Sequence, residues 1–232
     1  MTHNLQKTFV LSLGGSLMVP ENIDQVFLKK FVKVINKKIN QGYKFIIIAG
    51  GGKVCRHYQK AALALGKPNT KQLDILGIAL TKVNALLLQI AFGPKAHPVL
   101  LDKRGAIKNF AQYPLIIGCG WEPGCSTDFD VVQTAIDFGI KNIINLTNQD
   151  YVYSEDPQKN PFAQPLKELR WKDFFKYCPQ KRTPGMNTPF DPLASRLAQK
   201  NHLTVIIANG KNLSNLEKIF AQKPFRATII YP

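Results

Sequence analysis

The stretch FIIIAGGGKVCR, residues 45–56, predicts a buried strand, a tight turn and the start of a helix. Its apolar run stops at Gly50, Gly51 and Gly52, and the helix-compatible sequence KVCRHYQKAALAL follows directly. Glycines let the backbone turn at positive φ and approach a ligand closely. The first N–H groups of a helix are unpaired and lie at the positive end of its dipole, so they attract anions. We therefore predict a phosphate site here, the alternative being a glycine turn that serves packing alone.

The overall composition favours a soluble, folded α/β protein. The chain has 232 residues, of which 45% are hydrophobic, and this is enough for a sizeable core in a single domain. The apolar runs look too short for a membrane span, and the first residues lack a clear leader pattern. The expected location is the cytoplasm, without a membrane partner.

The charge balance is strongly basic, with 31 Lys and Arg against 15 Asp and Glu, a formal net charge of +16. Such a field attracts polyanions, and a nucleic-acid-binding protein is one hypothesis. The lysines are spread along the chain, which favours a generally basic surface over a dedicated nucleic-acid site. The four cysteines and four histidines are also dispersed, so we expect free thiols and no metal cluster.

The remaining chain alternates predicted strands and helices, as in parallel α/β proteins. A second strand ends in glycines at Gly14 and Gly15, so two glycine turns should meet at the carboxyl edge of the sheet. That strand covers 8–13, and further strands are predicted over 99–101, 113–118, 142–147, 166–169, 203–208 and 227–231. Helices are predicted over 22–40, 70–92, 129–138, 171–178 and 213–220, and one more should begin at Asp191-Pro192.

Three polar segments lie between these elements. The segment CGWEPGCSTD, residues 119–128, is rich in glycine and precedes a helix, so we interpret it as a ligand-facing loop that ends in an N-cap, for which Ser126, Thr127 and Asp128 are the candidates. Residues 148–160 form a polar loop with two tyrosines, and residues 179–190, with three prolines, are interpreted as a mobile connection. Asp74, near the start of the helix at 70–92, is by default a solvated acid in a first turn.

Six motifs together resemble the amino acid kinase superfamily, and most closely its archaeal-type uridylate kinases. In chain order they are LGGSLMVP (13–20), AGGGKVCRHY (49–58), LDILGIALTKVNALLL (73–88), PGCSTD (123–128), LTNQDYVYSEDP (146–157) and DPLASRLA (191–198). The resemblance implies a three-layer αβα sandwich with a mainly parallel sheet in one domain, residues 1–232. About 1–145 would form the acceptor lobe and about 146–232 the ATP lobe.

The same resemblance implies transfer of the ATP γ-phosphate to UMP, giving UDP and ADP, with Mg²⁺ and in a homo-oligomer, a hexamer in relatives. It implies a catalytic group of Gly15, Ser16, Arg56 and Asp191. Residues toward UMP would be Gly51, Asp74, Trp121, Glu122, Pro123, Gly124, Cys125, Ser126 and Thr127. Residues toward ATP would be Gly15, Ser16, Gly52, Arg56, Thr147, Tyr153 and Asp156. Asp156 and Asp191 are candidates to hold Mg²⁺ through water.

Some residues depart from the family pattern. Ser12 stands where many members carry a lysine, and Tyr151 stands where a glycine is expected. Cys125 replaces a usual His or Phe, and the loop before it is one residue longer, with Trp121 and Glu122. Two alternatives therefore remain: a kinase for another small phosphate or carboxylate acceptor, and a non-catalytic member that binds a nucleotide or an oxyanion.

Overall fold

A computed structural model describes residues 7–178 and 188–232, so most of the expected connection at 179–190 lies outside the described residues. The longer predicted elements are present with small shifts at their ends. The strands are β1 (Thr8–Leu13), β2 (Lys44–Ala49), β3 (Leu115–Gly118), β4 (Asn142–Thr147), β5 (Val152–Tyr153), β6 (Pro165–Leu166), β7 (Glu168–Arg170), β8 (Thr204–Asn209) and β9 (Thr228–Tyr231). The helices are α1 (Gly15–Met18), α2 (Gln25–Ile39), α3 (Gly52–Leu65), α4 (Thr70–Phe92), α5 (Thr127–Asp137), α6 (Trp171–Phe174), α7 (Pro192–Lys200) and α8 (Leu213–Phe220).

Seven strands form one sheet in the order β3-β2-β1-β4-β8-β9-β7, and β5 pairs with β6 in a separate hairpin. Among the described residues, neighbouring strands of the large sheet are parallel except for β8 and β9, which are antiparallel to each other. This confirms the prediction of a mainly parallel sheet. It also brings the carboxyl ends of β1, β2 and β4 side by side, so the loops that follow them share one edge.

Alternating side chains of the sheet produce three layers. Phe9, Leu11 and Leu13 of β1 point toward α2, α4 and α8, where they join one apolar core. Val10 points to the other side, into a second core shared with α5, α6 and α7. The three-layer αβα arrangement is therefore confirmed, with strands buried on both faces as parallel sheets require.

Short predicted strands were less accurate than long ones. The predicted strand at 99–101 is only a single bridge between Leu101 and Gly118. The strand predicted at 166–169 is divided between β6 and β7, which belong to different sheets. The helix predicted at 171–178 ends at Phe174. These segments are too short for a periodic pattern to define their bounds.

Helix α4 has an unusual distribution of polarity. Its buried side includes the polar residues Asp74, Thr81 and Asn84, whereas Val83 and Ile90 are 60% and 77% exposed. Of the apolar residues spaced along one side of this helix, Val83 and Ile90 are exposed, whereas the others are half-buried: Leu73, Leu76, Leu80 and Leu87. The segment Thr70–Lys95 is also long and apolar enough to cross a membrane by length and composition alone, which corrects the expectation that every apolar run is too short. In the fold this helix packs against α3, β2 and β3.

Candidate functional site

The glycine turns after β1 and β2 touch each other through their backbones. A Cβ atom on Gly15 would lie 1.9 Å from the backbone nitrogen of Gly52, and one on Gly50 would lie 2.6 Å from that of Gly15. Gly52 has a φ of +74°, which side chains rarely tolerate. Gly50 and Gly52 are therefore required by the close approach of the two turns, whose backbones form one continuous surface.

Helix α3 starts at this surface. Its N-cap is Gly51, which offers no side-chain oxygen to the first amides, and the Lys53 N–H instead donates to the carbonyl of Val19 at 3.4 Å. Lys53 in the first turn forms an ion pair with Glu21. Arg56 lies one turn further along α3 and is exposed. The dipole and these cations together make the region attractive to phosphate.

Two polar residues of α4, Thr81 and Asn84, form hydrogen bonds with the neighbouring loops, and neither was predicted from the sequence as a site residue. The buried Asn84 side chain donates to the carbonyl of Gly50 at 2.8 Å and to that of Gly51 at 3.4 Å. The Thr81 hydroxyl accepts a hydrogen bond from the Gly120 N–H at 3.0 Å. Polar residues on the inner face of an otherwise apolar helix were the available signal, because a buried polar group needs a partner.

Asp74 is not a solvated first-turn acid. It is 7% exposed, and its Oδ2 accepts a hydrogen bond from the Gly124 N–H at 2.8 Å. Asp74 is buried because the loop at 119–128 folds over the start of α4. Asp74 thus binds the loop at Gly124, and Thr81 binds it at Gly120.

The other residues predicted to face UMP lie along this loop. Ser126 is the N-cap of α5 and accepts from the Phe129 N–H at 3.3 Å, which decides among the three capping candidates. Thr127 is the first residue of α5. The rest of the loop is half-buried or exposed: Trp121, Glu122, Pro123, Gly124 and Cys125.

The half-buried carboxyl group of Asp128 joins β1, α5 and α7. Asp128, in the first turn of α5, accepts from the Ser12 hydroxyl of β1 at 3.2 Å through Oδ1. Its Oδ2 accepts from the Asp191 N–H at 3.1 Å. Asp191 is the N-cap of α7, and its side chain accepts from the amides of Leu193 and Ala194. Asp128 was considered only as a possible cap, so this role was missed.

The environment of Asp128 changes its ionisation. Burial, together with the Asp191 carboxylate nearby, raises the pKa of the Asp128 carboxyl from 3.8 to about 6. The hydrogen bonds from the Asp191 backbone and from Ser12 act in the opposite direction but do not compensate. A strand lysine at position 12 would supply an opposite charge, whereas Ser12 supplies only a hydroxyl.

The residues predicted for the ATP side follow β4. Thr147 ends β4, and its Oγ1 accepts from the Gln149 N–H at 3.1 Å. Tyr153 is in β5 and forms an edge-to-face pair with Tyr151, with ring centroids 6.2 Å apart. Asp156 is exposed and accepts from the Gln158 N–H, closing a turn. Tyr151 thus occupies the wall of this loop, beside the residue expected to contact adenosine.

The acidic residues suit a metal that is carried by nucleotide phosphates. Among residues 7–178 and 188–232, no three His, Cys, Asp or Glu side chains are close enough to hold a metal ion together. Mg²⁺ commonly keeps several waters and needs only one or two carboxylates beside substrate phosphates. Asp191, which is buried and lies close to Asp128, fits that requirement better than the exposed Asp156.

A mainly parallel α/β sheet with two touching glycine turns at its carboxyl edge defines a phosphate-binding α/β protein. More specifically, the chain belongs to the amino acid kinase family, whose sequence profile matches residues 7–209. It is 32% identical to the uridylate kinase of Thermococcus gammatolerans over 96% of this chain and 99% of that protein. It is 29% identical to the uridylate kinase of Hyperthermus butylicus over 90% and 92% of the two chains.

Solved structures give the same fold. The uridylate kinase from Archaeoglobus fulgidus superimposes with a TM-score of 0.78 and 28% identity, over 96% of this chain and 99% of that one. The UMP kinase from Bacillus anthracis has a TM-score of 0.79 at 19% identity, over 98% and 97% of the chains, which supports the fold alone. These likenesses cover nearly the whole chain.

Proposed function

We propose that the protein is an ATP-dependent UMP kinase that transfers the γ-phosphate of ATP to UMP and releases UDP and ADP. The observation that carries this function is the backbone contact between Gly15 and Gly52, seen together with near-full-length similarity to uridylate kinases. Phosphoryl transfer between two anions depends on positioning and charge compensation more than on covalent chemistry. Touching amide-rich turns provide a shared surface for two phosphate groups.

The roles of individual residues follow from their places. Gly51 and the N-terminus of α3 would face the phosphate of UMP, and Asp74 would hold its ribose or uracil under the loop at 119–128. Gly15, Ser16 and Gly52 would approach the ATP phosphates, with Arg56 adding charge. Thr147, Tyr153 and Asp156 would seat the adenosine side. The chain would then have an acceptor lobe of about 1–145 and an ATP lobe of about 146–232, with the glycine turns of the first lobe shared by both nucleotides.

Mg²⁺ would enter with ATP and neutralise part of the phosphate charge. Asp191 would hold it, directly or through water, while its own helix-capping bonds fix the orientation of the carboxyl group. Asp128 would position Asp191 through the backbone hydrogen bond and does not itself touch the phosphates.

A coupled assay of ADP release tests the function. We expect turnover with UMP, saturating ATP and Mg²⁺, and much slower turnover with CMP, AMP or GMP. Arg56→Ala should lower kcat/KM by about 10²-fold because a charge at the transferring phosphate is lost. Lys60→Ala, an exposed substitution one turn further along α3, is the matched control and should have little effect.

Two results would change the conclusion. Turnover with a small carboxylate or another phosphate instead of UMP would identify a kinase with a different acceptor. Binding of ATP without transfer to any acceptor would identify a non-catalytic member, a reading that Ser12 and Tyr151 favour. If Arg56→Ala and Lys60→Ala behave alike, the charge role given to Arg56 is wrong.

The outer face of α4 supports a homo-oligomer. Val83, Leu86 and Ile90 follow the spacing of one helical stripe and are 60%, 41% and 77% exposed. Such a stripe commonly marks a protein interface. Light scattering should give a mass several times that of one chain, and Leu86→Glu should reduce it. A monomeric mass for the unsubstituted protein would exclude this arrangement.

A further inference from the structure

Helix α2 carries five lysines and no acidic residue, and the proposed reaction uses none of these lysines. Its apolar side, which includes Phe27 and Phe31, is buried in the first core. Lys29, Lys33 and Lys37 follow one another at intervals of four residues and are exposed. Residues four apart lie on the same side of a helix, and eight residues rise about 12 Å, so these lysines form one row along the solvent side.

The lysine row borders an open groove of about 680 Å³, which we call the α2 groove. Most of its lining comes from three lysines and three amide side chains: Lys29, Lys33, Lys37, Asn36, Asn40 and Gln41. Lys37 forms an ion pair with Glu217 of α8 at 2.6 Å. Lys29 and Lys33 have no ion pair within residues 7–178 and 188–232. The charges of these two lysines are therefore not compensated, and the groove attracts anions.

Further lysines surround the C-terminal end of the α2 groove. Lys95 donates to Oδ1 of Asn40 at 3.1 Å, and Lys7 donates to the backbone carbonyl of Gln41 at 3.3 Å. Both ammonium groups thus lie beside the end of α2, where the helix dipole also favours cations. The fold therefore gathers lysines that are spread along the sequence. Because like charges repel, this face is poorly suited to contact an identical copy.

An amide oxygen in the α2 groove lacks a protein partner. Asn36 lies between Lys33 and Lys37, and its buried Oδ1 makes no hydrogen bond within the described part of the chain. A buried oxygen without a partner is costly, so an occupant that brings a hydroxyl donor would stabilise this amide. The groove thus combines a row of cations with an acceptor for an O–H group.

The backbone of double-stranded RNA has the chemistry that this groove requires. Phosphates follow one another about every 3.4 Å along one strand of a DNA duplex, so a row of this length spans a few phosphates of a double helix. The ribose of RNA adds a 2′-hydroxyl, which DNA lacks. Among the described residues that line the groove there is no aromatic ring on which unpaired bases could stack. A duplex therefore fits better than a single strand.

An anionic membrane fits the α2 groove less well. Helices that lie on a bilayer insert an apolar face beside their lysines. The apolar face of α2 is already mostly in the core, with Phe31 and Ile35 fully buried. Only electrostatic attraction would remain for lipid headgroups, and Asn36 would have no role in it.

We propose that the α2 groove binds double-stranded RNA, with its three lysines on backbone phosphates and Asn36 on a ribose 2′-hydroxyl. Binding of this kind depends on the shape and charge of the duplex and not on its sequence. The last turn of α2 adjoins Lys7, which precedes β1, so the groove extends toward the amino edge of the sheet and away from the glycine turns. The proposal is therefore independent of the proposed kinase reaction.

Fluorescence anisotropy with the full chain and a labelled, blunt-ended RNA duplex of about 16 base pairs tests this binding. We expect a Kd in the micromolar range at about 0.1 M salt. About three phosphate contacts predict a slope of roughly −3 in log K against log salt, so affinity should fall about 40-fold between about 50 and 200 mM. Saturating UMP and ATP should leave the affinity unchanged, because the RNA does not occupy the glycine turns.

Lys29→Gln combined with Lys33→Gln should weaken RNA binding about tenfold or more and reduce the salt slope by about 2, because two phosphate contacts are lost. Lys103→Gln combined with Lys172→Gln is the matched control. Both control residues are exposed and lie beside residues of the second core, on the other side of the sheet. The control removes the same net charge and should have little effect on binding. Both double variants should keep the unfolding temperature and the turnover of the unsubstituted protein.

Asn36→Ala tests the contact with the 2′-hydroxyl. The unsubstituted protein should bind the RNA duplex about threefold to tenfold more tightly than a DNA duplex of the same sequence, and Asn36→Ala should remove this preference without changing the salt slope. Equal affinities of RNA and DNA for the unsubstituted protein would overturn the assignment to RNA.

Three further results would overturn the proposal. They are equal RNA affinities of the two double lysine variants, displacement of the RNA by UMP and ATP, and tighter binding to phosphatidylserine vesicles than to the RNA duplex. Failure of the kinase assay alone would leave the anisotropy result intact, so the two proposals fail separately.

Discussion

The Ser12 hydroxyl donates a hydrogen bond to Oδ1 of Asp128 at 3.2 Å, which joins β1 to the first turn of α5. The other oxygen of Asp128 accepts from the backbone of Asp191 at the start of α7. One carboxyl group therefore connects a central strand and two helices. The free energy of unfolding should therefore depend on whether this carboxyl group is protonated.

Stability should depend on pH through Asp128. Its pKa is about 6 in the fold against 3.8 as an ordinary value, so the folded state binds this proton more tightly. The stabilising contribution is present below the lower value and is lost as pH rises through the higher one, amounting to at most about 3 kcal/mol. Asp128→Asn removes this term, so its free energy of unfolding should rise relative to the unsubstituted protein between about pH 4 and about pH 7. Urea unfolding across that range measures it, and parallel pH curves would contradict it.

Gly15→Ala should prevent formation of the touching turns. The new methyl group would overlap the backbone of Gly52, which cannot move without displacing α3. We expect a loss of several kcal/mol in the free energy of unfolding and a loss of nucleotide binding. Gly66→Ala is the matched control, because its Cβ would meet only Ala62 O at 3.9 Å. Circular dichroism with thermal melting compares them, and equal melting temperatures would refute the close-contact explanation.

Asn84→Ala should destabilise the glycine turn after β2. It removes the bonds to the carbonyls of Gly50 and Gly51 and should cost about 1–3 kcal/mol of stability, with a higher KM for UMP. Gln89→Ala lies on the same helix and loses similar bonds to His97 and Pro98, far from the turns. It should lower stability without changing KM. Identical kinetic effects of the two substitutions would remove Asn84 from the site.

Asp74 should act on UMP both through its charge and through the loop. Asp74→Asn can still accept from the Gly124 N–H, so it should keep the loop in place and raise the KM for UMP about tenfold. Asp74→Ala loses the anchor too and should raise KM about 10²-fold. Steady-state kinetics at saturating ATP distinguishes them. Equal values for both would show that the hydrogen bond to the loop has no kinetic weight.

Long elements and glycine turns could be predicted from the sequence because their signals are local. The apolar run at residues 45–49 and the three glycines after it gave the strand, the turn and the helix start in their observed order. The family motifs gave the fold for the same reason, since they preserve order and spacing. The residue roles in phosphate transfer remain predictions.

Most hydrogen bonds between side chains and distant segments could not be predicted. Nothing near Asp74 in the sequence indicates that Gly124 will cover it, and nothing near Ser12 indicates Asp128. Such pairs form only when the crossover connections bring separate strand ends to one edge. The polar residues within α4 were a sequence signal for buried hydrogen bonds. The apolar residues on its exposed face formed a stronger pattern and indicated the opposite side as the buried one.

Helix α4 therefore presents two functionally different faces. Its inner face holds Gly50, Gly120 and Gly124 through Asn84, Thr81 and Asp74, and its outer stripe is the surface proposed to meet another copy. A small slide or rotation of this one rigid helix would alter all three anchors together. In a homo-oligomer, UMP binding to one subunit would then change the affinity of its neighbour for UMP. Saturation curves for UMP would show this as cooperativity.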